Sequence, residues 1–257
     1  MKRGGSVLKA DRQAYILKKV ETEGRVVVQD LTQELNVTED TIRKDLQSLS
    51  KLGLLKRIHG GAHSLISDMK DFNSRVEFNS QTKADLAKRA CTLIENAKVI
   101  FIDGGSTNLK VAENIPEYFD GRIITNSPSI ALSLCRLSKA SVTLLGGDLD
   151  KKNQVLLGAA TLRAIQQIHL DLTILGVSTL DSKVGITVPS YEESIIKNQL
   201  FEQSSMVIAI ATKEKLEKIS TFFVAKVSAL DYLITEGTVD NKIVDTYNKL
   251  GVNVITV

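Results

Sequence analysis

The stretch Thr38–Leu46, Thr-Glu-Asp-Thr-Ile-Arg-Lys-Asp-Leu, constrains this chain more than any other. Thr38 is a good helix N-cap, because its hydroxyl can accept a bond from an otherwise unpaired first-turn amide. Glu39 and Asp40 follow, where negative charge is favourable against the helix dipole. Ile42, Leu46 and Leu49 recur at helical spacing and predict one buried stripe. Thr41, Arg43, Lys44 and Gln47 are left to project from the other faces. Arginine and lysine suit phosphates and guanine edges, and glutamine and threonine also reach bases. Taken alone, the stretch fits an amphipathic helix with a solvated charged face better than a DNA-reading helix.

Its neighbours decide between the two. Arg12–Glu23 reads as a first helix, with Ile16, Leu17 and Val20 on one side and Gly24 as its stop. Val28–Leu35 makes a short second helix carrying Leu31 and Leu35, and an Asn36-Val37 turn leads into Thr38. Helix, short turn, helix is the helix-turn-helix plan. Gly53 ends the reading helix, and Leu54-Leu55-Lys56-Arg57-Ile58 reads as a strand. His59-Gly60-Gly61-Ala62-His63 can then reverse the chain into a hairpin. Lys56, Arg57 and His59 on that hairpin would form a wing set against the DNA backbone.

Residues 12–62 resemble the N-terminal winged helix of DeoR-type bacterial transcriptional regulators. The resemblance is carried by Arg12, Ile16, Val20, Thr38, the run Thr41-Ile42-Arg43-Lys44-Asp45-Leu46, and Arg57-Ile58-His59-Gly60-Gly61-Ala62. Charge distribution agrees with a nucleic-acid partner. Residues 1–65 hold 12 lysines and arginines against 8 acids, whereas the remaining 192 residues hold 21 against 22.

At 257 residues the chain has room for two domains. The hydrophobic pattern lapses between Leu65 and Lys83, so we expect a DNA-binding domain over 1–65, a linker over 66–82 and a second domain over 83–257. A helix over Ser80–Glu95 opens this last region. Strands then follow at Val99–Asp103, Ile123–Thr125, Val142–Leu145, Leu172–Leu175, Met206–Ala211, Leu230–Thr235 and Val252–Val257. Helices at Thr107–Asn114, Ser129–Leu137, Ala159–Ile168, Tyr191–Gln203 and Asn241–Leu250 alternate with most of them. Continuous apolar strands alternating with helices imply an α/β domain with a largely parallel sheet covered on both faces. Ligands bind such sheets at the carboxyl ends of the strands.

Several of those ends carry polar, glycine-bearing loops. Asp103-Gly104-Gly105-Ser106-Thr107 lets the backbone approach a ligand and offers helix amides and two hydroxyls to a phosphate, though a plain tight turn also favours glycine there. Thr125-Asn126-Ser127-Pro128, Leu145-Gly146-Gly147, Gly176-Val177-Ser178 and Gly185-Ile186-Thr187 are further candidates. Glu193 and Lys197 are four apart on a helix, the spacing of an ordinary surface ion pair, but they follow one of these loops. Cys91 and Cys135 are isolated and lie among apolar residues, which predicts buried reduced thiols rather than a metal or redox site. No nucleophile–histidine or metal-ligand arrangement is present, and no cofactor is expected. Met1–Ala10 lacks an apolar leader and no stretch reaches the length of a membrane span, so a cytoplasmic protein with no membrane partner is expected.

The resemblance continues through the second domain. Arg75, Lys83, Asp103–Thr107, Thr125-Asn126-Ser127, Gly146-Gly147, Asp171 with Gly176-Val177-Ser178, Gly185 with Thr187, and Glu193 with Lys197 match the DeoR-type sensor domain in order. That domain is similar in fold to sugar-phosphate isomerases of the ribose-5-phosphate isomerase type. The resemblance implies an effector site formed by Arg75, Lys83, Asp103, Gly105, Ser106, Thr107, Asn126, Ser127, Gly147, Glu193, Lys197 and Lys215. One departure stands out. The family usually reads Ala-Asp-(Ser/His)-Ser-Lys-Phe where this chain has Ala211-Thr212-Lys213-Glu214-Lys215-Leu216, keeping only the Lys215 position. The expected function is a repressor of a carbohydrate-catabolic operon. It would bind double-stranded operator DNA as a homodimer or higher homo-oligomer and respond to a phosphorylated sugar. Thr38, Thr41, Arg43, Lys44, Gln47, Lys56, Arg57 and His59 would face the DNA. A sugar-phosphate isomerase tethered to DNA is the alternative from another class, and a turnover assay separates the two.

Overall fold

The computed structural model describes residues 8–23, 25–52, 54–58, 60–63, 71–94 and 97–257. Gly24, Gly53, His59, residues 64 and 65, and the 66–70 part of the expected linker lie outside them. The chain divides into two units, Met1–Lys70 and Asp71–Val257.

The first unit begins with α1 (Lys9–Glu23), β1 (Arg25–Val27), α2 (Val28–Leu35) and α3 (Glu39–Lys51). It ends in a hairpin of β2 (Lys56–Ile58) and β3 (Gly61–His63). Thr38 caps α3 as its position predicts, its hydroxyl accepting from the Thr41 amide at 3.3 Å. Asn36 adopts the left-handed conformation that ends α2. Ile16, Val20, Leu31, Leu35, Ile42, Leu46 and Leu49 form one buried cluster with Val26, Val28, Leu55 and Ala62. The sequence reading missed β1, which pairs with β3 to give the order β1-β3-β2 and ties the wing to the helices. Gly61 is required there, because a Cβ would come within 2.0 Å of the Val26 carbonyl oxygen.

One polar contact crosses that apolar cluster. Asp45, on α3, is buried and takes an ion pair from the Arg12 guanidinium and a hydrogen bond from Gln13 Nε2 at 3.1 Å. Both donors come from α1, so the pair fixes the reading helix against its support.

The second unit starts earlier than expected. Residues 71–82 are not linker: α4 (Phe72–Glu77) and the start of α5 (Ser80–Cys91) belong to this unit, and the Phe72 amide donates to the Lys152 carbonyl at 2.9 Å. The boundary shifts because Phe72 is buried, an anchor that a mixed polar segment conceals. The chain continues through β4 (Val99–Ile102), α6 (Ser106–Asn114), β5 (Arg122–Thr125), α7 (Pro128–Leu134), β6 (Ser141–Leu144), β7 (Asp148–Asp150), β8 (Val155–Leu157), α8 (Ala159–Gln166) and β9 (Leu172–Gly176). Then come β10 (Thr179–Asp181), β11 (Gly185–Val188), α9 (Tyr191–Gln203), β12 (Val207–Ile210), β13 (Phe222–Ala225), β14 (Tyr232–Thr235), α10 (Asn241–Lys249) and β15 (Asn253–Thr256).

Seven strands form one parallel sheet in the order β15-β14-β12-β9-β4-β5-β6. Alternate residues of each central strand feed opposite cores. Ile100 and Ile102 of β4 meet Leu86, Val111 and Ile130 of α5, α6 and α7, while Phe101 meets Ile165, Ile196 and Leu200 of α8 and α9. The chain runs outward from β4 to β6 and then returns to place β9 on the other side of β4. The carboxyl ends of β4 and β9 therefore form the switch point at which open α/β sheets bind ligands.

The antiparallel pieces were not predicted. β7 pairs with β8, and β10-β11-β13 make a separate sheet, so Gly185-Ile186-Thr187 is not a strand end of the main sheet. These strands are three or four residues long, too short to show a period. Cys91 is buried as expected, but Cys135 is exposed, at the end of α7. Among the described residues no helix is long and apolar enough to cross a membrane.

Asp45→Ala would remove the buried carboxylate that Arg12 and Gln13 both engage, at a cost of about 3–5 kcal/mol to the first unit, whereas replacing Arg12 and Asp45 together by apolar residues restores part of it. Denaturant unfolding followed by circular dichroism reads both outcomes.

Candidate functional site

The loop after β4 is built around the Asp103 carboxylate. Its Oδ1 accepts from the Gly104 amide at 2.8 Å, and its Oδ2 accepts from the Gly176 amide at 2.9 Å and from the Lys197 ammonium. One side chain thus ties β4 to β9 across the switch point and to α9 above it. Lys197 also donates to the Gly176 carbonyl at 2.7 Å and lies 3.4 Å from Glu193 Oε1. Both members of the Asp103–Lys197 pair are almost fully buried, at 3% and 2% side-chain exposure. Burial opposes the Lys197 charge, but the Asp103 and Glu193 carboxylates more than offset it and hold the ammonium above its ordinary range.

Glycine is obligatory where these strands converge. A Cβ on Gly176 would meet the Gly104 carbonyl oxygen at 2.3 Å and crowd the ion pair, and Gly105 sits at φ +150 as it starts α6. Gly176 was read as part of a candidate loop but left out of the expected site. Asn108, also missed, donates from Nδ2 to the carbonyls of Asp103 (2.8 Å) and Ile174 (3.2 Å), stapling both strand ends to α6. An asparagine facing the apolar side of a helix was the available signal.

The neighbouring loop completes the wall. Asn126 Oδ1 accepts from the Gly104 amide at 3.1 Å, and its Nδ2 donates to the Leu156 carbonyl at 3.3 Å. Ser127 Oγ donates to the Gln154 carbonyl at 3.2 Å. Ser106 and Thr107 lie buried in the first turn of α6. Thr107 Oγ1 is, among the described residues, the one buried side-chain oxygen or nitrogen that has no hydrogen-bond partner.

A set of cations adjoins this wall. Lys83, from α5, donates to the Arg75 carbonyl, and Arg75 Nη2 reaches Asn153 Oδ1 at 3.0 Å. Lys215, in a 3-10 turn after β12, donates to the Val177 carbonyl at 2.7 Å. Burial and then the neighbouring Lys215 and Arg75 charges push Lys83 down to about 8, with Glu214 opposing. Lys215 is also pushed down to about 8, by burial first, with Arg75 and Lys197 adding to the shift and Glu214 and Glu193 opposing it. Two lysines that hold their protons this weakly mark a place short of negative charge.

Gly147 stands apart from this cluster. Its Cβ position is filled by Thr161 Oγ1 and the Leu157 carbonyl, at 2.1 and 2.4 Å, so packing under α8 accounts for the glycine.

In the first unit, Arg43 pairs with Glu39 at 3.1 Å and Lys44 with Asp40 at 2.7 Å, all four exposed on α3. Gln47 is exposed, as are Lys56 and Arg57 on β2, and the Thr41 hydroxyl lies 2.9 Å from that of Thr38. Pairs this exposed contribute little to stability and exchange easily for phosphate or base partners.

Two family descriptions match. Residues 12–68 match the DeoR-like helix-turn-helix domain, and residues 78–237 match the DeoR C terminal sensor domain. The chain belongs to the DeoR family. It is a DNA-binding transcriptional regulator built from a helix-turn-helix unit and a sensor unit. Among relatives of this DeoR protein, the HTH-type transcriptional regulator GlpR of Haloferax volcanii is 31% identical over 253 residues, covering 97% of this chain and 98% of the relative. The glycerol-3-phosphate regulon repressor of Haemophilus influenzae is 32% identical, covering 87% of this chain and 88% of the relative. Ribose 5 phosphate isomerase A from Neisseria gonorrhoeae is similar over 53% of each chain, at 18% identity and a TM-score of 0.37.

Lys197→Met in this DeoR protein would strand the buried Asp103 carboxylate and lower the stability of the sensor unit by about 3–5 kcal/mol. Adding Asp103→Asn, which retains one acceptor for the backbone amides, would recover part of that loss in a thermal melt.

Proposed function

We propose that this regulator represses a carbohydrate-catabolic operon in the cytoplasm and is controlled by a phosphorylated sugar held at the β4–β9 switch point. The observation that carries this reading is the unpartnered Thr107 hydroxyl. It sits in the first turn of α6, where amides and the helix dipole favour an anion, and Lys83 and Lys215 adjoin the same loops. A phosphate there would give the hydroxyl an acceptor and raise both lysines back toward their ordinary range. Ser106, Asn126, Ser127, Arg75, Glu193 and Lys197 would line or hold the same crevice. The relative named a glycerol-3-phosphate regulon repressor supports a phosphorylated effector.

On the DNA side, Thr41, Arg43, Lys44 and Gln47 would read the major groove from α3, with Thr38 at its cap. Lys56 and Arg57, with His59 beyond them, would hold the backbone. Two copies would present two α3 helices to half-sites spaced by whole helical turns. We read the sensor unit as non-catalytic: Lys197 engages Asp103 and lies beside Glu193, which makes both carboxylates weaker general bases. Turnover of pentose or hexosamine phosphates by the purified protein would contradict this.

A thermal-shift screen of sugar phosphates at pH 7 should find a stabilising compound worth about 2.7 kcal/mol at a hundred times its Kd, while its dephosphorylated counterpart gives little shift. Thr107→Val should shrink that shift with little change in the melting temperature of the free protein. The shift should also fade as pH rises above about 8, because Lys83 and Lys215 then lose the protons that attract the phosphate. Equal shifts from a sugar and its phosphate would overturn the assignment.

Arg43→Ala should weaken operator binding by about 1–3 kcal/mol while sparing random DNA, whereas Lys56→Ala should weaken both alike and reduce the salt slope by about one unit. Fluorescence anisotropy at several salt concentrations separates the two.

A further inference from the structure

The 3-10 turn Lys213–Lys215 brings a carboxylate into the cation cluster, and the effector reading leaves it without a role. The turn is anchored on both sides. The Lys213 amide donates to Glu236 Oε1 at 2.9 Å, and the Lys215 amide donates to the Thr212 carbonyl at 2.9 Å. The fully buried Thr212 donates its hydroxyl to Glu214 Oε1 at 2.5 Å, which fixes the half-buried carboxylate in place. The turn follows β12, the sheet neighbour of β9, and its Lys215 reaches the Val177 carbonyl just past β9, so Glu214 stands on the same rim as that lysine.

The charges around the crevice can be set against one another. Lys197 is neutralised internally by Asp103, and the outlying Lys110 pairs with Glu113 at 2.7 Å. That leaves Arg75, Lys83 and Lys215 against Glu193 and Glu214. Asp71 and Asp150 also act on Arg75. The surplus is at most one positive charge, less than a single phosphate dianion carries. A second anionic group would find no unmatched cation and would face Glu214.

We propose that Glu214 is a specificity-determining residue, whose carboxylate admits the monophosphate of a neutral sugar or polyol and rejects a ligand bearing a second anionic group. A carboxylate accepts hydrogen bonds from hydroxyls and donates none, so it rewards a hydroxylated end and repels a carboxylate or second phosphate in its place. The inference rests on the phosphate-binding reading of the crevice and names the part of the ligand that the phosphate sites leave open.

The test is calorimetric titration of the full chain with matched pairs that differ by one carboxylate: glycerol 3-phosphate against 3-phosphoglycerate, and glucose 6-phosphate against 6-phosphogluconate. Inorganic phosphate is the common reference. The wild type should favour the neutral-ended member of whichever pair binds by at least about tenfold, the scale of one like-charge contact in a partly screened site. Glu214→Gln should narrow that preference by about tenfold, chiefly by improving the acid's affinity, and Glu214→Asp, which keeps the charge, should retain it. An unchanged preference in Glu214→Gln, or wild-type binding of both members alike, would overturn the role of Glu214 and leave the phosphate reading standing. Failure of inorganic phosphate and every phosphorylated compound to bind the wild type would remove the phosphate reading, and this inference with it.

Discussion

The buried pair of Asp103 and Lys197 holds the sensor unit's functional edge in one geometry. A parallel sheet whose chain reverses direction beside β4 leaves a cleft between the ends of β4 and β9, and loops there have no ladder of their own to order them. Asp103 supplies that order by binding the amides of Gly104 and Gly176 as well as the ammonium of Lys197. Such a pair adds little net stability once its desolvation is counted, yet breaking it is costly. Its contribution here is position: it fixes the Gly104 and Gly176 backbone at the strand ends from which α6 starts.

The same pair also occupies the carboxylate at the end of β4. Asp103 accepts three hydrogen bonds, one of them from a buried ammonium, so most of its acceptor capacity is spent inside the fold. Lys83 and Lys215 are pushed down by burial and by neighbouring cations, so in the proposed reading an anion beside them would be stabilising. Ligand binding of this kind alters DNA binding only if the ligand has different affinities for two states of the whole assembly. The crevice loops join β4, β9, α6 and α9 and are well placed to differ between such states.

Much of this was legible in the sequence because the physics is local. The α3 cap, its apolar stripe and its charged face follow from Thr38, Ile42, Leu46 and Arg43 within a few turns of helix. The main strands were legible because four consecutive apolar residues have few other uses. What escaped the sequence depends on distant partners. Asp45 reads as another charge on a polar helix until Arg12, 33 residues away, is brought against it. The short strands β7, β8, β10, β11 and β13 are ordered by pairing rather than by their own pattern, and the apparent loop at Gly185 was therefore assigned to the wrong sheet. Gly147 looked like a ligand loop because close packing and ligand approach both demand glycine. Phe72 was hidden in a segment whose other residues are polar.

The most direct measurement of the central claim is a crystal structure of the protein grown with inorganic phosphate or a stabilising sugar phosphate. The account predicts phosphate oxygens within hydrogen-bond distance of Thr107 Oγ1 and the amides that open α6. Lys83 or Lys215 should also touch the phosphate, and the Asp103–Lys197 pair should be unbroken. A phosphate bound elsewhere, with the Thr107 hydroxyl still unpartnered or the ion pair opened to receive the ligand, would contradict it.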